Sequence, residues 1–314
     1  MFREGGAAFM QNKKTGTLLV LLAGIFWGCV GIFVRFWSAR GFDSEQIVCL
    51  RFVGASVVFL AIQLVRDPHC LKIRLRDVPL FLVIGLGTVF AATSLYFLAL
   101  QEMSMSAAAI LLNTAPIWVM LISATLFHEK ITARKLLALI LAFGGCTLVS
   151  DISGGSVTLK GFVIGLISGI AYSLYSILSS VALRRYSTAT LNAWCFMLSA
   201  VGGFVLCRPA ELIAGLAAQP SAAGTVALIL LTGVCTSVVP FLAYSMGLSR
   251  IEASRAAILA TTEPIVATIV GVLIYHETLT LFSTLGIVCV LSAIAVLNTE
   301  KPKAKDVSPA LRGK

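Results

Sequence analysis

Between residues 15 and 298 the chain is a nearly unbroken succession of apolar stretches, each about as long as a lipid bilayer is thick. Ten such windows can be marked, at 15–37, 44–65, 78–101, 105–127, 132–150, 159–183, 188–207, 222–249, 254–275 and 280–298. About 20 mostly apolar residues cross the hydrocarbon core as a helix. Inside lipid the backbone must satisfy its own hydrogen bonds, which a helix does. The connections are too short to hold a water-soluble domain, so the expectation is an all-α integral membrane protein with ten transmembrane helices. Composition agrees, with 12% charged residues against about 25% in an ordinary soluble domain.

Lys13 and Lys14 ahead of the first window imitate a signal-peptide start, but the apolar part is too long and lacks a small-residue cleavage site, so it reads as retained. The net charge of +10 would suit a nucleic-acid binder, yet its placement points elsewhere. With the N-terminus in the cytoplasm, 19 of the 24 Lys and Arg residues fall on the cytoplasmic side, and only Arg40, Lys160 and Arg208 on the other. The positive-inside rule then sets both termini in the cytoplasm. The remaining two, Arg35 and Arg51, lie inside windows. The eight cysteines stand singly with no Cys-x-x-Cys pair, which reads as small apolar packing rather than a disulfide framework or metal cluster.

The chain repeats itself. At an offset of 148 residues, Gly85 falls on Gly233, Thr88 on Thr236 and Tyr96 on Tyr244, and the ungapped match runs on through "ILLNTAPIWVM" (110–120) and "ILATTEPIVAT" (258–268) to His128 and Glu129 on His276 and Glu277. At an offset of 145, "GTLLVLLAGIFWG" falls on "GFVIGLISGIAYS". A duplicated five-helix unit has an odd number of crossings, so the second copy enters the membrane from the opposite side. The expected organisation is an N-terminal repeat at 1–150, an inverted C-terminal repeat at 151–298, and a polar basic cytoplasmic tail at 299–314. Inverted repeats are a recurring plan of secondary transporters, because two similar halves of opposite orientation can exchange conformations around a central site.

"GIFWG" in the first helix, the Arg-Phe pair of "CLRFVGASVVFLA", "PIWVMLISATLFHEKIT" and "TTEPIVATIVGVLIYHETLT" together resemble the EamA family of the drug/metabolite transporter superfamily, over about residues 15 to 298. That resemblance implies an inner-membrane carrier, most often an exporter of amino acids, related metabolites or drugs, with a cavity between the halves and no bound cofactor. It does not name the substrate. Sugar-phosphate and nucleotide-sugar carriers of the same superfamily typically carry basic residues on the later helices, where this chain has an acid.

Ionisable groups within spans cost about 2.5–3.5 kcal/mol on insertion scales and so face the bundle interior or a water-filled cavity by default. Glu263 stands about nine residues into its window, roughly 14 Å deep at 1.5 Å per residue, near the middle of a core about 30 Å thick. Arg51 stands about seven residues in from the other side, roughly 10 Å deep. Glu263 then has two readings: it binds a substrate amino group or a coupled proton or cation, or it pairs with Arg51 and is structural. Arg51 reads as a brace against carbonyls or Glu263, and Arg35 as snorkelling outward. Pro116 and Pro264 each remove a backbone donor, so matched helix kinks are expected, with Asn113, Thr114, Thr261 and Thr262 relieving the freed carbonyls.

Candidate cavity residues are Trp27, Tyr96, Asn113, Trp118, Tyr172, Tyr175, Tyr244 and Thr262, the rings offering stacking or cation–π contact. The alternative is that they pack or anchor at interfaces. Glu129 and Glu277 read as caps for the helix that begins next. The three histidines fall at helix ends or in loops, and neither Gly-x-Ser-x-Gly nor a phosphate-binding Gly-rich loop occurs.

The sequence therefore reads as a secondary carrier and not an enzyme, exporting a small amphiphilic metabolite by alternating access, with no cofactor or metal and no nucleic-acid partner. Its partners would be the substrate, a coupled proton or cation and the bilayer, in a monomer or homodimer. The alternatives left open are a sugar-phosphate or nucleotide-sugar exchanger and a membrane-embedded scaffold, sensor or enzyme.

Overall fold

A computed structural model describes residues 2–66, 71–103, 105–149, 158–276 and 278–298. Glu277, the expected junction at 150 and 151, and the tail at 299–314 lie outside the described residues.

Among the described residues there is no strand. The first window is helix α1 (Phe2–Gly28), continued after a break at Cys29 by α2 (Val30–Ser38). The second is α3 (Ser44–Arg66). The third starts as α4 (Val78–Leu82), widens into a π-helical segment (Val83–Phe90) and ends as α5 (Ala91–Leu100). The fourth is split into α6 (Met105–Leu112) and α7 (Ala115–Leu126), and α8 (Ala133–Val149) follows. The second half runs α9 (Leu159–Ala182), α10 (Thr188–Leu206) and a short surface helix α11 (Pro209–Ala217). Next come α12 (Ala222–Gly233), a second π-helical segment (Val234–Val238) and α13 (Val239–Leu248). The ninth window is again split, into α14 (Ala253–Ala260) and α15 (Thr262–Tyr275), and α16 (Leu281–Asn298) closes the chain.

Nine helices among the described residues are long and apolar enough to cross a membrane. The fifth window is not among them, because α8 is 17 residues long. Starts are set by local chemistry: the Thr158, Ser187 and Ser221 hydroxyls accept from Gly161, Thr190 and Gly224 N–H, capping α9, α10 and α12. Leu18, Val57, Ile140, Val205, Leu273 and Leu285 are exposed on the outside of the bundle, where hydrocarbon rather than water would surround them.

Each half packs mainly through the other. Helix α1 lies on α13, α14 and α15, while α9 lies on α5, α6 and α7. Helix α3 crosses α12 and its π-helical continuation, and α10 crosses the first π-helical segment. Glycines permit these approaches. A Cβ on Gly233 would run into the Ala55 nitrogen, and one on Gly85 would stand 2.6 Å from Leu198 Cβ. Helices α8 and α16 meet backbone to backbone: a Cβ on Gly145 would stand 2.7 Å from the Gly286 carbonyl oxygen, and one on Gly286 2.6 Å from that of Gly145.

Candidate functional site

Proline dictates the geometry at the middle of the fourth and ninth apolar windows. Pro116 and Pro264 lack the N–H that an α-helix would send four residues back, and the helix stops just before each, between Leu112 and Ala115 and between Ala260 and Thr262. Threonine hydroxyls take up part of the backbone this exposes. Thr114 Oγ1 donates to the Leu111 carbonyl at 2.6 Å, and its counterpart 148 residues on, Thr262 Oγ1, donates to the Leu259 carbonyl at 2.8 Å. Thr261 does the same to Ile258 at 2.6 Å.

Each break faces a glycine of a neighbouring long helix. A Cβ on Gly24 of α1 would stand 3.1 Å from Thr262 Cβ, and one on Gly169 of α9 would stand 2.5 Å from the Leu111 carbonyl and 2.8 Å from Thr114 Oγ1. Gly28 presses closer still, its Cβ position 2.7 Å from the Glu263 carbonyl. The breaks are thus held open between packed helices, with Glu263 in the first turn of α15, where a negative charge suits the helix dipole.

Glu263, Arg51, Tyr172 and Tyr96 fall within one electrostatic neighbourhood, and all four are half-buried. Arg51 is engaged elsewhere: its Nε donates to Ser237 Oγ at 3.0 Å and its Nη2 to the Thr236 carbonyl at 3.2 Å, in the second π-helical segment. Among the described residues it makes no ion pair with Glu263. Pro240 cannot supply the N–H that an α-helix would send to the Thr236 carbonyl, which leaves that oxygen open to Arg51. Pro240, four residues beyond that carbonyl, is the mark of this contact in the sequence.

The remaining candidates separate into two groups. Asn113, Trp118 and Thr262 are half-buried around the two breaks, with Trp118 Nε1 donating to Thr114 Oγ1 at 3.2 Å and Asn113 Nδ2 to the Ala109 carbonyl at 2.9 Å. Trp27, Tyr175 and Tyr244 are buried in an aromatic core instead. The Trp27 ring meets Phe241 edge-on at 5.2 Å and Tyr244 at 5.3 Å, and Tyr175 meets Phe241 at 5.2 Å. Their hydroxyls are satisfied by protein: Tyr244 with Ser176 at 2.7 Å, and Tyr175 with Asn192 Oδ1 at 3.3 Å. Arg35 holds its guanidinium 3.9 Å from the centre of the Tyr275 ring. Glu129 caps a helix, though not the next one: it accepts from Ala253 N–H at 3.2 Å, at the start of α14.

The model of the EamA-like transporter family matches twice, over residues 14–151 and 159–299. A protein of Archaeoglobus fulgidus named an uncharacterized transporter is 30% identical over 292 residues, covering 92% of this chain and 98% of its own. The uncharacterized transporter YwfM of Bacillus subtilis is 26% identical over 306 residues, 94% of this chain and 97% of that one. One crystal structure has the same fold, with a TM-score of 0.75 at 19% identity over 90% of this chain and 96% of the other.

Proposed function

Because the chain belongs to the EamA-like transporter family, we propose that this multi-pass membrane transporter is a secondary carrier that exports a small amphiphilic metabolite, an amino acid or a relative, by alternating access. In this reading ten helices form two inverted five-helix repeats in a bacterial inner membrane, with both termini in the cytoplasm. The two matches of the family model and the corresponding contacts of α1 and α9 support the repeat. The short α8 counts as the fifth crossing.

The observation that carries the reading is the matched pair of broken helices, with a carboxylate at only one of them. A broken helix in mid-membrane is tolerated where it is buried in protein or lines a water-filled cavity, and such breaks near the midplane are where transporters bind substrate. Half-buried Glu263, Asn113, Trp118, Tyr96, Tyr172 and Thr262 offer a carboxylate, an amide and ring faces to a solute with one cationic and one apolar part. Glu263 takes either that cationic group or a coupled proton. Arg51, committed to Thr236 and Ser237, serves this site by holding the π-helical segment.

The test is counterflow in liposomes containing only this protein, loaded in turn with unlabelled amino acids, amines and sugar phosphates. Accumulation of a labelled amino acid or amine, unchanged chemically, upholds the reading. Strict exchange of sugar phosphates alone, or chemical conversion of the solute, defeats it.

A further inference from the structure

The bundle end that carries Lys130, Arg134, Arg184, Arg185 and Arg250 also contains a buried ionic cluster that the central site does not use. It begins with a tight stop. His128 adopts a left-handed conformation at φ 53°, and the Glu129 N–H turns back to the Ser123 carbonyl at 3.2 Å, closing the end of α7. Past that turn the Glu129 carboxylate accepts from the Ala253 N–H at 3.2 Å and from the Ser254 hydroxyl. Helix α14 has no side-chain cap of its own, since Glu252 at its N-cap makes none. Glu129 therefore caps it from the other half of the molecule, where a negative charge is favoured.

Lys135, in the first turn of α8 and 3% exposed, joins the two acids. Its Nζ lies 2.5 Å from Glu252 and 3.7 Å from Glu129. Alongside, Arg255 Nη2 donates to Asn298 Oδ1 at 3.0 Å, the last residue of α16. The ends of α7 and α16 and the starts of α8 and α14 are thereby tied by two acids and two bases.

Of this set the opposite end keeps in the sequence only the acid of Glu129, as Glu277. Positions 148 away from Lys135, Glu252, Arg255 and Asn298 hold Ser283, Ser104, Ala107 and Ser150. Ring packing is one-sided too. Trp27 and Tyr244 are in contact and buried, whereas their counterparts Tyr172 and Tyr96 are half-buried. Among the described residues the other end is tied across the halves by an exposed ion pair, Lys160 with Glu102 at 2.6 Å, where the charged end holds the buried Lys135 between two acids.

We propose that Glu129, Lys135 and Glu252 form a latch that holds the cytoplasmic end of the carrier shut and must come apart before the central site opens to that side. This rests on the carrier reading above. Separating the cluster exposes each charge to water and frees the first turn of α14, so the segment that leads into the break before Glu263 gains freedom only when the latch opens. Closing it restores the cap.

Hydrogen exchange on the full chain in nanodiscs reads this without any substrate. Lys135→Met is expected to speed exchange in the first turns of α8 and α14 by about tenfold or more, leaving α11 and the start of α12 unchanged. The charge-keeping variant Lys135→Arg is expected to stay within about twofold of the parent. Unchanged exchange in Lys135→Met, equal acceleration at both ends, or the same acceleration in Lys135→Arg as in Lys135→Met overturns the latch. One-sided acceleration upholds it whether or not liposomes carry flux, whereas a lack of flux with every solute tried counts against the carrier reading alone.

Discussion

Arg51 reaches from the second helix of one half to the Thr236 carbonyl of the other, 3.2 Å away, at the carbonyl that Pro240 leaves without an α-helical donor. A positive charge inside the membrane is thus accounted for by a missing hydrogen atom four residues along. Truncating Arg51 to alanine should strand that buried carbonyl and cost about 1–3 kcal/mol, seen as a lowered melting temperature in detergent. In a Pro240→Ala background, which returns an N–H to the helix, the same truncation should cost measurably less. Equal costs in both backgrounds would refute the link between the two residues.

Gly24 and Gly169 hold equivalent places but have unequal room. A methyl group on Gly24 meets Thr262 Cβ at 3.1 Å and the Ala260 carbonyl at 3.4 Å, distances that small shifts absorb, while one on Gly169 meets the Leu111 carbonyl at 2.5 Å. Alanine gains about 0.5–1 kcal/mol over glycine inside a helix. Gly24→Ala should therefore be near neutral in thermal unfolding. Gly169→Ala should lose about 1–3 kcal/mol through overpacking. Similar tolerance at both sites would contradict the contact geometry.

Burial pushes the Glu129 carboxyl above the ordinary carboxylate range; the Ser254 hydroxyl, Lys135 and the Ala253 N–H pull it back, and Glu252 adds to the rise. The folded protein then holds this proton more tightly than the unfolded chain does. Its contribution to stability is present at low pH and is lost as pH rises through the folded value. Relative to Glu129→Gln, which keeps an acceptor for Ala253 and Ser254, the parent's melting temperature should fall as the pH rises above the ordinary carboxylate range. Parallel pH profiles for the two proteins would rule this out.

Glu263→Gln keeps the shape of the ninth-span break and removes its ability to exchange a proton. If Glu263 couples a proton, flux in liposomes should stop responding to an imposed pH gradient, while counterflow without a gradient persists. If it binds the substrate's cationic group, counterflow itself should fall by about tenfold or more, in line with the loss of one charge-assisted hydrogen bond. A variant that matches the parent in both assays would leave Glu263 a purely structural residue.

What could be read from the sequence followed from strong local constraints. Lipid allows few backbone solutions, so the spans were visible as apolar windows, and proline lacks its hydrogen, so the breaks before Pro116 and Pro264 were visible too. The fifth span falls short because α8 has 17 residues. Contacts between residues far apart in the chain were another matter. Nothing local tells Glu129 to cap a helix 124 residues on instead of the adjacent α8. Nor do Trp27, Tyr175 and Tyr244 announce that they gather around Phe241, because in a membrane protein many environments accept an aromatic ring. The π-helical segments likewise have no plain sequence mark, apart from Pro240 beside the second.

The glycine contact between α8 and α16 has a further consequence. Gly145 and Ala293 are 148 residues apart, as are Ala138 and Gly286, and all four are small and buried. A surface whose residues answer one another in this crosswise way is isologous, the kind that joins two identical subunits about a twofold axis. Two polypeptides severed within 150–158 would keep every atom of that seam, and each would meet in the other the surface it presents itself. The covalent link supplies proximity, and the seam supplies recognition.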